Sequence, residues 1–231
     1  MVDVGLSIRE IKEKMHVLGV SFDQVEGVFI THEHIDHIKS LKSIDNSKIY
    51  TSQGTWPVCV QNTLEYFQQY DIAGFKVTPI PLSHDAKNPV GYVFDDGEEK
   101  MVYMTDTGYI KKDYFQYIAN ANHYIFESNH DVRMLLQTNR PFMLKKRILS
   151  DEGHLSNDDA AEILTKLIGV KTQSIVLAHI SEEANTPDLV LETFYRVMKE
   201  EMIDLSKIIV QVADRHEITR GRVWNEKNTT D

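Results

Sequence analysis

Short apolar runs alternate with stretches whose apolar residues recur at helical spacing. The apolar runs predict strands at 25–30, 48–51, 76–82, 91–94, 101–104, 124–126, 174–178 and 208–212. The helical spacing predicts helices at 8–18, 36–41, 57–69, 112–120, 130–138, 157–168 and 187–201. Many strands with long helices between them are typical of an α/β protein.

Local signals define some boundaries of these elements. Ser7 and Glu10 form the sequence signature of a capping box, and Gly19 ends the helix that follows. Pro79 and Pro81 predict that the strand at 76–82 lies near a sheet edge or is irregular, because proline cannot donate to a strand ladder. The run 95–97, Asp-Asp-Gly, predicts a hairpin turn.

The composition favours one globular domain over residues 1–231. The 231 residues contain 42% hydrophobic residues, and we find no linker or repeat. The net charge of −10 argues against holding nucleic acid by bulk charge, although it leaves room for a local phosphate site.

The single cysteine, Cys59, fits a reducing cytosol, and its apolar neighbours predict a core residue. We find no apolar stretch long enough to span a bilayer and no signal-peptide pattern. We therefore expect a cytoplasmic protein without a membrane partner.

The densest chemistry directly follows the apolar run 28–30. His32, His34, Asp36 and His37 supply four potential metal ligands within six residues. Imidazole and carboxylate together suit Zn²⁺, Mn²⁺ or Fe. The alternative is a solvated polar turn, but three histidines and an aspartate rarely cluster so closely by chance.

Later predicted strands also end in ligand or acid/base residues. His84, Asp106, Glu127 and His179 each follow or end such a strand. Strand ends can meet at one edge of a sheet, where sites of α/β proteins form. A single histidine in this position is more often structural, but several in one chain favour a site.

Six segments carry a resemblance to a known family. They are Thr31–Ile38, Ser83–Ala86, Thr105–Tyr109, Glu127–Asp131, Gly153–Asn157 and Leu177–Ser181. Their motifs resemble the metallo-β-lactamase fold of metal-dependent hydrolases and, within it, the WalJ (YycJ) family, which is similar to RNase Z, RNase J and PhnP. The resemblance implies a four-layer αββα sandwich with two divalent ions, Zn²⁺ or Mn²⁺, at one edge.

The family pattern also implies a role for each ligand. It assigns one ion to His32, His34 and His84, the other to Asp36, His37 and His179, and a bridging position to Asp106. Asp3 would orient a ligand histidine through its second ring N–H, or it is simply an exposed residue near the chain start. A hydroxide bridging the two ions would be the nucleophile.

The segment around His154 predicts a second catalytic element. Ser156 with Asp159 predicts a helix start, so His154 lies beside a helix N-terminus, which favours an anion. We assign His154 to general acid catalysis or phosphate contact, as the similar histidine of the nuclease relatives implies. Glu127 would hold or polarise it, and both residues could instead be structural. His130 receives no role.

Tyr109 and the basic residues Arg140, Lys145, Lys146 and Arg147 are the candidates for a nucleic-acid track. Such a basic run is more often a solvated helix face. If it contacts phosphates, binding should depend on salt.

The resemblance implies a phosphodiesterase, in particular a 5'-to-3' DNA exonuclease. The same metal centre could instead hydrolyse a small ester, thioester, lactone or cyclic phosphodiester. A third possibility is a catalytically silent metal-binding domain. The family usually has a β-hairpin ahead of the stretch that matches Val2–Gly5, and we expect this chain to lack it, which would expose a sheet edge.

Overall fold

A computed structural model describes residues 1–55 and 62–220 of the chain. These residues divide into two compact units, Met1–Gly97 and a second that begins at Glu98, and each is described by itself. The prediction of a single domain over 1–231 stays a prediction.

In the described part of the first unit, two α-helices, three short 3₁₀ helices and six strands are present. The α-helices are α1 (Ile8–Val17) and α2 (Ile35–Ile38). The strands are β1 (Val28–Ile30), β2 (Ile49–Ser52), β3 (Asn62–Leu64), β4 (Tyr70–Ile72), β5 (Phe75–Pro81) and β6 (Val90–Asp95).

Two groups of paired strands build the first unit. Strands β1, β2 and β3 pair in parallel, in that order. Strands β4, β5 and β6 pair antiparallel. The core beside β1 consists of Val4, Ile11, Val28, Ile30, Leu41, Ile44 and Ile49. Every residue of β1 is buried, so the end of this strand holds the backbone in place where the following segment begins.

The predicted helix at 57–69 is wrong for residues 62–69: residues 62–64 form β3, and residues 65–69 form no helix. Residues 57–61, with the predicted core residue Cys59, lie outside the described residues. Helical spacing of Leu64 and Phe67 favoured a helix, but parallel pairing of β3 with β2 overrides this weak local preference. Strand β4 had no sequence prediction.

Strand β5 pairs with β4 on one side and with β6 on the other. Its two prolines lie where β4 does not need a backbone N–H from β5. The ladder with β4 extends only from Phe75 to Val77. Pro79 and Pro81 lie beyond it, where β5 pairs with β6 alone. The prediction of an edge position is therefore correct for the two prolines and wrong for the start of the strand.

In the described part of the second unit, four strands, five α-helices and one short 3₁₀ helix are present. The strands are β7 (Lys100–Met104), β8 (His123–Glu127), β9 (Ser174–Ala178) and β10 (Ile209–Val212). The α-helices are α3 (Phe115–Ile118), α4 (Val132–Gln137), α5 (Phe142–Ile148), α6 (Asn157–Leu167) and α7 (Pro187–Glu200). Helix α5 had no boundary prediction; the other elements agree with the predictions within a few residues.

Strands β7, β8, β9 and β10 are parallel neighbours in that order. Large side chains such as Tyr124, Phe126 and Phe194 are fully buried in this unit. Because parallel strands end at the same edge, the residues after β7, at the end of β8 and after β9 come close together. They are Asp106, Glu127 and His179, as the sequence predicts.

Cap residues confirm several predicted boundaries. Ser7 and Glu10 form the capping box of α1, and Gly19, at φ 73°, lies just beyond its end. Ser156 caps α6 by accepting from the Asp159 N–H. Among the described residues, no helix is both long and apolar enough to cross a membrane.

Candidate metal centre

In the first unit, Asp3 connects the chain start to the histidine-rich segment. Its Oδ1 accepts from the Thr31 backbone N–H and its Oδ2 from the Thr31 hydroxyl, both at 2.9 Å. His37 Nδ1 lies 2.8 Å from Asp3 Oδ2. This is the kind of contact predicted for Asp3, and it makes Nε2 of His37 the nitrogen available to an ion.

Backbone contacts hold this connection in place. The Val4 N–H donates to the His37 carbonyl at 2.7 Å, and the Ser40 N–H donates to the Val4 carbonyl at 3.0 Å. A Cβ at Gly5 would lie 1.5 Å from the Asp36 carbonyl oxygen, so no other residue fits there. The run Val2–Gly5 thus fixes the position of α2 and its two candidate ligands.

Three histidines of the first unit form a compact cluster. His32, His34 and His84 each offer a ring nitrogen, and these atoms lie within 4.8 Å of one another. His32 Nε2 is 3.0 Å from His34 Nδ1, while His32 Nδ1 contacts the Thr31 hydroxyl at 3.0 Å. His32 and His84 are buried and His34 is partly exposed, so the cluster is open to water only on the His34 side.

Asp36 has the most exposed side chain of the predicted ligands. Its side chain is 73% exposed, and its Oδ2 lies 3.9 Å from His37 Nε2. Among the described residues, it belongs to none of the groups whose ligand atoms lie within 4.8 Å of one another. Its role as a ligand stays a prediction.

In the second unit, Asp106, Glu127, His154 and His179 form another cluster of this kind. The completely buried Glu127 lies at its centre. Glu127 Oε1 contacts His179 Nδ1 at 2.6 Å and His154 Nδ1 at 3.0 Å. Glu127 therefore holds two imidazoles, whereas the sequence predicted only its contact with His154.

Backbone amides complete the surroundings of Glu127. Its Oε1 accepts from the Asp106 N–H at 3.2 Å, and its Oε2 accepts from Thr107 and Leu155 at 2.9 and 3.1 Å. Burial raises the pKa of Glu127, but hydrogen bonds and positive charge from His154 and His179 outweigh it and hold the pKa well below its usual range. Glu127 is thus a fixed carboxylate.

Asp106 approaches the second nitrogen of the His179 ring, the one that does not contact Glu127. His179 Nε2 lies 3.4 Å from Asp106 Oδ1. Both residues have positive φ, 61° and 58°, in the sharp turns that follow β7 and β9. Non-glycine residues rarely adopt this conformation, and it is concentrated at functional sites.

His154 lies between the end of α5 and the start of α6. Its backbone N–H donates to the Ile148 carbonyl at 3.0 Å. A Cβ at Gly153 would lie 2.2 Å from the Ile148 oxygen, so glycine is required for this approach. Ser156 caps α6 two residues later, which places His154 beside a helix N-terminus that favours anions.

A buried polar network that the sequence did not predict supports this cluster. Asn185 Nδ2 donates to the carbonyls of Ser128 and Asn129, both at 3.0 Å. The Asn129 side chain donates to the His179 carbonyl at 2.8 Å. Asn185 precedes the α7 cap Thr186, so in sequence it resembled an ordinary turn residue.

The donor sets fit divalent metal ions. Ligand atoms around one ion with Zn–N bonds of 2.0–2.1 Å lie about 3–4 Å apart, which the histidine cluster approaches. Asp3, Thr31 and Glu127 fix the tautomers of neighbouring histidines through Nδ1, as outer-shell partners of metal ligands do.

A family model described as the beta-lactamase superfamily domain matches residues 1–180. The chain belongs to the beta-lactamase superfamily. Its fold is the metallo-β-lactamase fold, and this superfamily member is a metal-dependent hydrolase whose fold implies binding of divalent metal.

Relatives refine this placement. The chain is 34% identical to "Exodeoxyribonuclease YycJ" of Bacillus anthracis over 218 residues, covering 87% of this chain and 81% of the relative. It is 32% identical to "Exodeoxyribonuclease WalJ" of Streptococcus pneumoniae over 209 residues, covering 82% and 76%. The metallo-β-lactamase fold protein YhfI of Bacillus subtilis superposes with a TM-score of 0.65 at 16% identity, covering 92% and 83%.

Proposed function

We propose that this superfamily member is a dinuclear phosphodiesterase that acts on DNA as a 5'-to-3' exonuclease. The observation that carries the proposal is the arrangement around Glu127, where one buried carboxylate holds His154 and His179 next to Asp106. The two curated relatives named as exodeoxyribonucleases support DNA as the substrate class.

The proposal divides the metal ligands as the family resemblance implies. His32, His34 and His84 hold one ion, which agrees with their mutual distances in the first unit. Asp36, His37 and His179 would hold the second, and the Asp106 carboxylate would be a further ligand. When bound, such ions, Zn²⁺ or Mn²⁺, supply hydroxide near neutral pH and stabilise charge on a phosphoryl oxygen.

His154 protonates the leaving oxygen in this proposal. Glu127 accepts its Nδ1–H, which directs Nε2 toward substrate. The Glu127 carboxylate also stabilises a positive charge on the ring while the proton is held there. The adjacent N-terminus of α6 favours a phosphate beside His154.

An assay with four substrates tests the proposal. We expect the metal-loaded protein to degrade 5'-phosphorylated DNA, single-stranded or duplex, from the 5' end and to act more slowly on bis(p-nitrophenyl) phosphate and a thioester. If the protein hydrolyses the small diester or thioester rapidly and leaves DNA intact, it is a small-molecule hydrolase and not an exonuclease. Inactivity on all four despite bound metal would favour a silent domain.

A further inference from the structure

Residues 132–150, from α4 to just before the His154 loop, differ in charge from the rest of the chain. They contain five of the 25 Lys and Arg residues and no Asp or Glu, in a chain of net charge −10, and they are flanked by Asp131 on one side and by Asp151 and Glu152 on the other. A local positive field in an acidic protein attracts polyanions.

At least two of these basic residues make structural contacts. Lys145 Nζ donates to the carbonyls of Leu136 and Thr138, both at 2.7 Å, and so satisfies the end of α4. Arg140 Nε forms an ion pair with Glu183 at 3.1 Å. The predicted nucleic-acid track is therefore narrower than its basic residues suggest.

Helix α5 packs on the second unit through one face only. Ile148 and the partly buried Leu144 contact a small core that contains Leu135 and Ala184. The opposite face carries Phe142, Lys146 and Leu149 at spacings of four and three residues. Phe142 is 76% exposed, its neighbour Met143 is 71% exposed, and Leu149 is 42% exposed.

The helix dipole explains the cations of α5 but not its exposed apolar side chains. Cations in the last turn of α5 stabilise its C-terminus. That effect does not account for an aromatic ring and a thioether in water on the same helix. Exposed apolar side chains beside cations are what single-stranded nucleic acid requires, because bases stack on rings while phosphates meet cations.

The α5 surface, defined as Phe142, Met143, Lys146 and Leu149, is joined to the candidate catalytic residues. The last turn of α5 contacts Gly153 and accepts the His154 N–H. A Cβ at Gly108 would lie 2.3 Å from the Ser150 carbonyl oxygen, so the neighbouring Tyr109, 47% exposed, lies beside the end of α5.

We infer, on the basis of the DNA-directed function proposed above, that the α5 surface binds the single-stranded part of the DNA substrate next to His154. Phe142 stacks on a base, Lys146 contacts a phosphate, and Tyr109 lies on the path to the cluster around Glu127. Duplex DNA hides the faces of its bases, so a single strand is the ligand that this surface fits.

Helix α7 offers a matched control for the test. Tyr195 and Lys199 are exposed, and their spacing equals that of Phe142 and Lys146. The experiment compares Phe142→Ala and Lys146→Glu with Tyr195→Ala and Lys199→Glu in the metal-loaded protein. The readouts are Kd for a 5'-phosphorylated phosphorothioate single strand at several salt concentrations, and turnover of bis(p-nitrophenyl) phosphate.

We expect Lys146→Glu to weaken binding of the single strand about tenfold or more and to reduce the slope of log K against log salt by about 0.7. Phe142→Ala should weaken it about fivefold or more. Both should leave turnover of the small diester unchanged, and neither α7 variant should alter Kd beyond twofold.

Equal losses in the α5 and α7 variants, or unchanged Kd in the α5 variants, would overturn the inference. Binding of the wild-type protein to phosphatidylglycerol vesicles, with no binding of the single strand, would also overturn it and assign the surface to a membrane. If the protein binds the strand through α5 but cleaves neither DNA nor the small diester, the proposed function fails and the surface stands.

Discussion

Glu127 Oε1 lies 2.6 Å from His179 Nδ1, although 52 residues separate the two in sequence. The same oxygen also contacts His154, so both imidazoles are oriented by one buried group. In Glu127→Gln, an amide NH₂ replaces one carboxylate oxygen and faces N–H donors in either orientation. We expect DNA or diester turnover to fall about 10-fold to 100-fold or more and unfolding free energy to drop about 1–3 kcal/mol.

Glu99→Gln is the control for this change. Glu99 also contacts a histidine, His123 at 3.2 Å, but outside the Glu127 cluster. Equal effects of the two substitutions on turnover, measured with thermal unfolding in parallel, would argue against a special position for Glu127.

His154→Ala separates proton transfer from metal binding. Because His154 is proposed to donate a proton and not to bind an ion, we expect metal content to stay near two ions per chain. Turnover should fall about 10²-fold to 10⁴-fold. Elemental analysis together with a kcat measurement checks both parts, with His123→Ala as control. Loss of metal along with activity would make His154 a ligand.

Asp3→Asn tests the connection between the chain start and the metal ligands. Asp3 accepts two hydrogen bonds from Thr31 and one from His37. In the asparagine variant, an amide NH₂ would face at least one of these N–H or O–H donors. We expect metal affinity to fall about 10-fold to 100-fold, measured by competition with a chelator. Asp23→Asn, in the 3₁₀ helix Phe22–Gln24 after α1, should retain wild-type affinity. A normal affinity for Asp3→Asn would remove Asp3 from the site.

Much of the site could be predicted because strand ends are local in sequence and fixed in space. Buried apolar runs identified β7, β8 and β9, and their parallel pairing brings Asp106, Glu127 and His179 together. The Ser156 cap was predictable from its three-residue spacing to Asp159. These features depend on short-range patterns and one general rule of parallel sheets.

Other long-range partners could not be predicted. The contact of Glu127 with His179, the polar network of Asn185 and the strand β3 all depend on pairing between distant segments. The spacing of His34 and Asp36 suggested that both are ligands, but only His34 lies in a described cluster, because spacing does not fix the direction of a side chain.

His130 gives the structure an acid-sensitive element. Neither ring nitrogen has a hydrogen-bond partner among the described residues, and the residue is 1% exposed. Burial lowers the pKa of His130 to about 4, and the opposing effects of Glu127, Asp159 and Asp131 do not compensate; His154 adds to the lowering. The unfolded chain therefore takes up a proton near pH 6.5 that the folded chain refuses until about pH 4.

Folding stability from this source is fully present above pH 6.5 and is lost as the pH falls toward 4, by about 3 kcal/mol in total. We expect His130→Leu to unfold at the same or a higher temperature than wild type at pH 7.5, because it removes two buried nitrogens without partners. Between pH 6.5 and 4 its melting temperature should fall less steeply. His16→Leu, at an exposed position of α1, should follow the wild-type curve. Parallel curves for His130→Leu and wild type would show that His130 is protonated in the folded protein as readily as in the unfolded chain.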